Sequence, residues 1–155
     1  MIVEIMERGI NLEMVESVST VKTSSSEYVI GKHVYGNLYG IDREIASNKE
    51  FLEEIMMEAA RQTGAKIVEV KTWDFTGKKK GGVSIIILVK ESHLALHTWE
   101  EYGYATLDVY TCGDHTDPLK GFYYVVDKIK PRRYNAHYVV RDSRTEEIVE
   151  TVIKG

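Results

Sequence analysis

A chain of 155 residues, 43% hydrophobic and 28% charged, suits one domain that buries about two-thirds of its unfolded surface without staples. Its net charge of -4 gives no general attraction to phosphate backbones or anionic membranes, which argues against nucleic acid and membrane partners. The opening "MIVEIMERGI" has neither the basic start nor the apolar core of a signal peptide, and no apolar run approaches the roughly 18 residues of a membrane span, so the expected location is cytoplasmic.

Residues 1–27 read as an extension, in which "IVEIMERGINLEMVESV" suits a short helix and "STVKTSSSE" a linker of small hydroxyl residues that cannot build a core. The folded domain is expected over residues 28–155. "YVIGKHVYGNLYG" is rich in Val, Ile and Tyr and predicts a strand, with Gly31, Gly36 and Gly40 marking a bulge or its ends. A helix follows: Ser47 and Glu50 form a capping box, Phe51, Leu52, Ile55, Met56 and Ala59 share one face, and Gly64 is the stop.

"AKIVEVKTWDF" alternates as a strand, with Ile67, Glu69 and Lys71 on one side and Val68, Val70 and Thr72 on the other, and "TGKKKGG" after it is an exposed loop. The run "VSIIILV", residues 83–89, shows no alternation, which implies burial on both faces, or burial on one face with a site or subunit interface on the other. It enters "ESHLALHTW", where His93, Ala95 and His97 oppose Leu94 and Leu96. In "YATLDVYTC", Tyr104, Thr106, Asp108, Tyr110 and Cys112 oppose Ala105, Leu107, Val109 and Thr111. Asp117 caps a second helix with Pro118 in its first turn, "RRYNAHYVVRD" forms a last strand, and "SRTEEIVETVIKG" is a charged tail. Two helices inserted among hairpin-linked strands describe an α+β fold, a two-layer sandwich whose antiparallel sheet has its helices packed on one face.

Ser84, Glu91, Ser92, His93, His97, Glu101, Asp108 and Cys112 gather chemically competent groups around the middle of the chain. Singly, each has a plain structural reading: hydroxyls and imidazoles satisfied by backbone, carboxylates solvated, and the lone cysteine either a buried small hydrophobe or a reactive thiol. A single Cys excludes an internal disulfide and a cysteine-rich zinc site. A hydrolase would use Ser92 or Cys112 as nucleophile with His97 as base, but no G-x-S-x-G elbow accompanies Ser92. His93, His97 and Cys112 do not have the usual zinc spacing, and no metal is expected.

The stretch "GVSIIILVKESHLALHTWEEYGYATLDVYTCGDHTDP" resembles the central region of prokaryotic S-adenosylmethionine decarboxylase proenzymes, a pyruvoyl-dependent family. The resemblance rests on Gly82 to Ser84, Glu91 to His93, His97 to Trp99 and Thr111 to Gly113, and extends through "GKHVYGNLYG" and "KPRRYNAHYVVRD" over about residues 29–142. It implies self-cleavage between Glu91 and Ser92, giving pieces 1–91 and 92–155, with Ser92 converted to an N-terminal pyruvoyl group. By the same resemblance Ser84 and His97 are processing residues, His97 taking the α-proton, and Cys112 protonates the decarboxylated product. The pyruvoyl ketone would form a Schiff base with a substrate amine and act as the electron sink in polyamine biosynthesis. The family is built from paired protomers, so a homodimer is expected.

For the substrate, the resemblance puts Phe75 where an aromatic ring stacks on adenine and Glu101 where a carboxylate binds ribose, which favours S-adenosylmethionine. Two departures from the commoner bacterial pattern, Glu100 in place of a proline and a longer "TGKKKGG" loop, look like the archaeal branch. That branch includes a paralogue that decarboxylates arginine to agmatine, for which Asp74, Glu69 or Glu101 would bind the guanidinium. The non-enzyme alternative is an unprocessed regulatory homologue in which Ser92 remains a serine.

Overall fold

The computed structural model describes residues 28–155, so the helix and linker expected within residues 1–27 lie outside the described residues. The elements are β1 (Ile30–Tyr39), α1 (Arg43–Ala46), α2 (Lys49–Gln62), β2 (Ile67–Asp74), β3 (Val83–Val89), β4 (Ser92–Trp99), a 3-10 turn (Glu100–Tyr102), β5 (Tyr104–Cys112), α3 (Pro118–Ile129), β6 (Arg133–Asp142) and β7 (Ile148–Lys154). The strands form one sheet in the order β2-β3-β4-β5-β1-β6-β7, with every neighbouring pair antiparallel. Helices α2 and α3 pack side by side on one face, giving the expected α+β sandwich. No described helix is long and apolar enough to cross a membrane.

Alternation along each strand decides which side chains meet the helices. Val34 and Leu38 of β1, Ile85 and Ile87 of β3, Leu94 and Leu96 of β4, and Leu107 and Val109 of β5 are fully buried, in one core with Leu52 and Met56 of α2 and Phe122 and Val125 of α3. Among the described residues, no helix lies on the opposite face of the sheet. The run 83–89 therefore takes the second of its two readings: Val83, Ile85, Ile87 and Val89 are buried, whereas Ile86 and Leu88 on the open face are 49% and 47% exposed.

Local chemistry corrects the sequence reading at three places. Ser47 does not cap α2, because the four-residue α1 precedes it and the Ser47 hydroxyl donates to the Arg43 carbonyl at its end. Asn48 is the cap, its side-chain oxygen accepting the Phe51 N–H at 3.1 Å. Gly64 does follow the helix end, with φ of +87°. In β2 a bulge between Ile67 and Glu69 shifts the alternation, so Ile67 packs on the core together with Val70 instead of siding with Glu69 and Lys71. The charged tail is not a tail: residues 148–154 form β7, paired along β6, because Ile153 alternates into the core and is only 4% exposed.

Ile153→Ala is expected to destabilise the protein by about 2 kcal/mol or more, and Val149→Ala, at an exposed position of the same strand, by less than about 0.5 kcal/mol. Denaturant unfolding midpoints of the two variants check this.

Candidate active site

Strands β3 and β4 are joined by a two-residue corner, Lys90-Glu91, with Val89 paired to Ser92. Two-residue hairpin corners that match strand twist need positive φ at their central residues, which is why asparagine and glycine dominate them. Lys90 and Glu91 keep negative φ, and the reversal falls on Ser92, whose φ is +148°. For a residue with a Cβ this conformation costs about 1–3 kcal/mol, stored beside the Glu91–Ser92 peptide.

The carbonyl of that same peptide accepts two hydrogen bonds from Cys112 at the end of β5, from its N–H at 3.0 Å and from Sγ at 2.9 Å. Two donors aimed at one carbonyl oxygen withdraw electron density from its carbon and would stabilise an oxyanion formed there. Cys112 is half-buried, with its thiol turned to the corner, so it is not a core residue. The Glu91 side chain is held as well: the Lys66 N–H donates to one carboxylate oxygen at 2.9 Å and His115 Nε2 lies 3.0 Å from the other. Burial works against the Glu91 charge, but the bonds from His115 and the Lys66 N–H outweigh it, and its pKa lies below the ordinary 4.5.

Ser84 and His97 form a second group. They are cross-strand partners on the open face, with Ser84 Oγ 2.9 Å from His97 Nδ1. From Ser92 to His97 is five residues along β4, about 16 Å of extended strand, and Cys112 is six residues along β5 from Thr106, the partner of His97. Within one chain His97 therefore does not reach Ser92 or Cys112, so neither the hydrolase pairing nor the His93, His97, Cys112 metal set forms inside a single protomer. Among the described residues no three His, Cys, Asp or Glu side chains cluster as metal ligands. His93 instead lies against Tyr110, ring centroids 5.6 Å apart, and Asp108 sits 3.1 Å from His33 on the open face.

Phe75 and Glu101 lie at the His97 end. Phe75 follows β2, in which Trp73 pairs with Ser84, and its ring is 5.1 Å from that of Trp73. Glu101 is exposed in the 3-10 turn after β4. The neighbouring Glu100 is 6% exposed; its Oε1 accepts the Gly77 N–H at 2.7 Å, and its own N–H donates to the Gly81 carbonyl at 3.0 Å. A proline at position 100 would supply neither bond. The long loop and the glutamate are thus one feature. Of the other acidic residues considered for arginine, Asp74 is occupied by the Thr76 N–H and hydroxyl, which lower its pKa, and Glu69 pairs with Lys71 at 2.9 Å.

A family model described as S-adenosylmethionine decarboxylase matches residues 32–142. The chain belongs to that family. Two relatives, from Hyperthermus butylicus and Aeropyrum pernix, are each described as an arginine decarboxylase proenzyme. The first is 53% identical over 122 residues, 79% of this chain and 85% of the relative, and the second is 52% identical over 124 residues, 80% and 92%. The crystal structure of the adenosylmethionine decarboxylase from Aquifex aeolicus superposes with a TM-score of 0.61 at 26% identity, covering 81% of this chain and 89% of that one. As a member of the S-adenosylmethionine decarboxylase family the protein is a carboxy-lyase that works with a pyruvoyl group derived from a serine. The residues fit that group: a strained serine follows a carbonyl that two donors polarise. His115 and the Lys66 N–H were not expected from the sequence; the only signal was a histidine three residues after Cys112 in "CGDH".

The depressed Glu91 pKa contributes stability that is complete above 4.5 and is lost as the pH falls through the lower folded value. In a Ser92→Ala chain, unfolding midpoints are expected to fall on acidification below 4.5 more steeply than in Ser92→Ala carrying Glu91→Gln.

Proposed function

We propose that the protein is a pyruvoyl-dependent arginine decarboxylase, producing agmatine and carbon dioxide, which matures by breaking its own Glu91–Ser92 bond and works as a homodimer. The observation that carries the cleavage is the corner itself, with strain on Ser92 and two Cys112 donors on the Glu91 carbonyl. Ser92 Oγ adds to the Glu91 carbonyl carbon, the C–N bond breaks and the amide becomes an ester. Removal of the Ser92 α-proton by His97 then expels the Glu91 carboxylate, and addition of water with loss of ammonia leaves the N-terminal ketone. When formed, this pyruvoyl group supplies an electron sink to the substrate amine. The Cys112 thiol, beside Ser92 and half-buried, is placed to return a proton to the product carbon.

His97 is about 16 Å from Ser92 within one chain, which supports a role for a second copy. Two sheets stacked by their open faces about a two-fold axis set the Ser84–His97 end of one protomer over the Ser92 end of the other. Such packing would also cover Ile86, Leu88 and Trp73, which are exposed on this face.

For the substrate, the reading rests on the two relatives described as arginine decarboxylase proenzymes. Glu101, exposed at the His97 end, is the carboxylate proposed for the guanidinium. S-adenosylmethionine is the second reading, favoured by Phe75 standing at that same end as a stacking surface.

Carboxyl-labelled arginine is expected to release labelled carbon dioxide from processed enzyme, and Glu101→Gln to raise its KM by roughly tenfold or more. Greater turnover of S-adenosylmethionine than of arginine would reverse the assignment. Ser92→Ala is expected to remain one full-length chain. Cys112→Ala is expected to slow self-cleavage through loss of the thiol donor without abolishing it, because the backbone donor survives, and to lose most turnover. His97→Ala alone is expected to stall before fragments appear. Co-expressed with Ser92→Ala, the His97→Ala chain is expected to be cut, since its Ser92 meets an intact partner histidine; an uncut His97→Ala chain in that mixture would refute the shared site.

A further inference from the structure

We propose that His115 is a positioning residue for self-cleavage, which holds the Glu91 carboxylate so that the Glu91 carbonyl stays fixed under attack by Ser92; this rests on Glu91–Ser92 being the bond that breaks. Glu91 occupies a two-residue corner, where a peptide plane is least restrained by its own strand. Its carbonyl is gripped by the Cys112 N–H and thiol, and its carboxylate by the Lys66 N–H and His115. A carboxylate only accepts hydrogen bonds, so His115 Nε2 carries the proton in the 3.0 Å contact.

The geometry couples these grips. Cys112 and His115 belong to one short turn, in which Gly113 takes φ of +90°, the Thr116 hydroxyl donates to the carbonyls of Cys112 and Gly113, and the Asp117 N–H reaches back to the Thr63 carbonyl at 2.9 Å. Thr63 caps α2, whose connection to β2 supplies the Lys66 N–H. Carbonyl donors and carboxylate donors therefore sit on two turns that are tied to each other, with Glu91 suspended between them. The Glu91 side chain is 10% exposed and the His115 side chain 62%, so the histidine adds little packing and acts through its hydrogen bond. Nucleophile and carbonyl must be held within about 3–3.5 Å in an aligned approach, so rotation of the corner peptide slows the first step. Once the chain is cut, Glu91 is a chain end, and His115 has no part in turnover.

The test is a pulse-chase of freshly synthesised full-length chain, with fragments resolved on denaturing gels and identified by intact mass. His115→Ala is expected to slow cleavage roughly fivefold or more, a loss in the range of one charge-assisted hydrogen bond at a part-exposed site. Glutamine carries an amide nitrogen as many bonds from Cα as His Nε2, and asparagine one bond fewer, so His115→Gln is expected to cleave near the natural rate and His115→Asn as slowly as His115→Ala. In a Glu91→Ala background, His115→Ala is expected to add no further slowing, and fully matured His115→Ala enzyme to keep its kcat. Equal slowing by Ala, Gln and Asn, unchanged cleavage in His115→Ala, or additive slowing with Glu91→Ala would overturn the proposal. Fragments with masses that place the cut elsewhere, or a cut Ser92→Ala chain, would instead refute the cleavage point.

Discussion

The bend between Glu91 and Ser92 is made without the residues that normally relieve such a bend, and the rest of the molecule prevents it from relaxing. Sliding β4 against β3 by one residue would move the strain off Ser92. It would also turn Leu94 and Leu96 of β4 out of a core in which both are fully buried. The strain of one residue is smaller than the cost of exposing two leucines, so the register holds and the serine keeps its φ of +148°. Burial on the helix face thus enforces an unfavourable backbone at the edge of the other face, beside a carbonyl that Cys112 already polarises.

The open face distributes these groups along the strands, and a lone protomer does not bring His97 to Ser92. At one end stand Ser92, Cys112, Glu91 and His115; at the other stand Ser84, His97, Phe75 and Glu101. Extended strands separate the groups by their length, and no side-chain rotation closes a gap of about 16 Å. The exposed apolar residues between them, Ile86 and Leu88, are what a paired sheet would cover. The proposed two-fold packing meets both needs with a single contact, which is why the site and the assembly stand or fall together.

At the His97 end the buried Glu100 links the 3-10 turn that bears Glu101 to the lysine-rich loop that follows Phe75. A carboxylate on a loop N–H offsets its burial by a charge-assisted hydrogen bond, and the backbone bond to Gly81 closes the same loop from the other side. The Phe75 ring and the exposed Glu101 carboxylate therefore occupy positions set by a residue that itself faces away from solvent.

The sequence determined the alternation of the buried strands, the two long helices and the caps at Asp117 and Gly64, and the stretch that bears Ser84, Ser92, His97 and Cys112 carried the resemblance to the family. These are local or pairwise patterns, and a period of two or a capping residue is written in neighbouring letters. The bulge in β2, the capture of Ser47 by α1, and the seventh strand inside a charged tail were hidden, because each depends on what an adjacent element already occupies. Only the tertiary structure decided that Ser92 carries the strain, that the Cys112 donors meet the Glu91 carbonyl, that His115 and the Lys66 N–H hold its carboxylate, and that His97 stands far away. Those facts are distances between residues remote in the chain, fixed by strand register and turn packing, and such distances exist only once the sheet has formed.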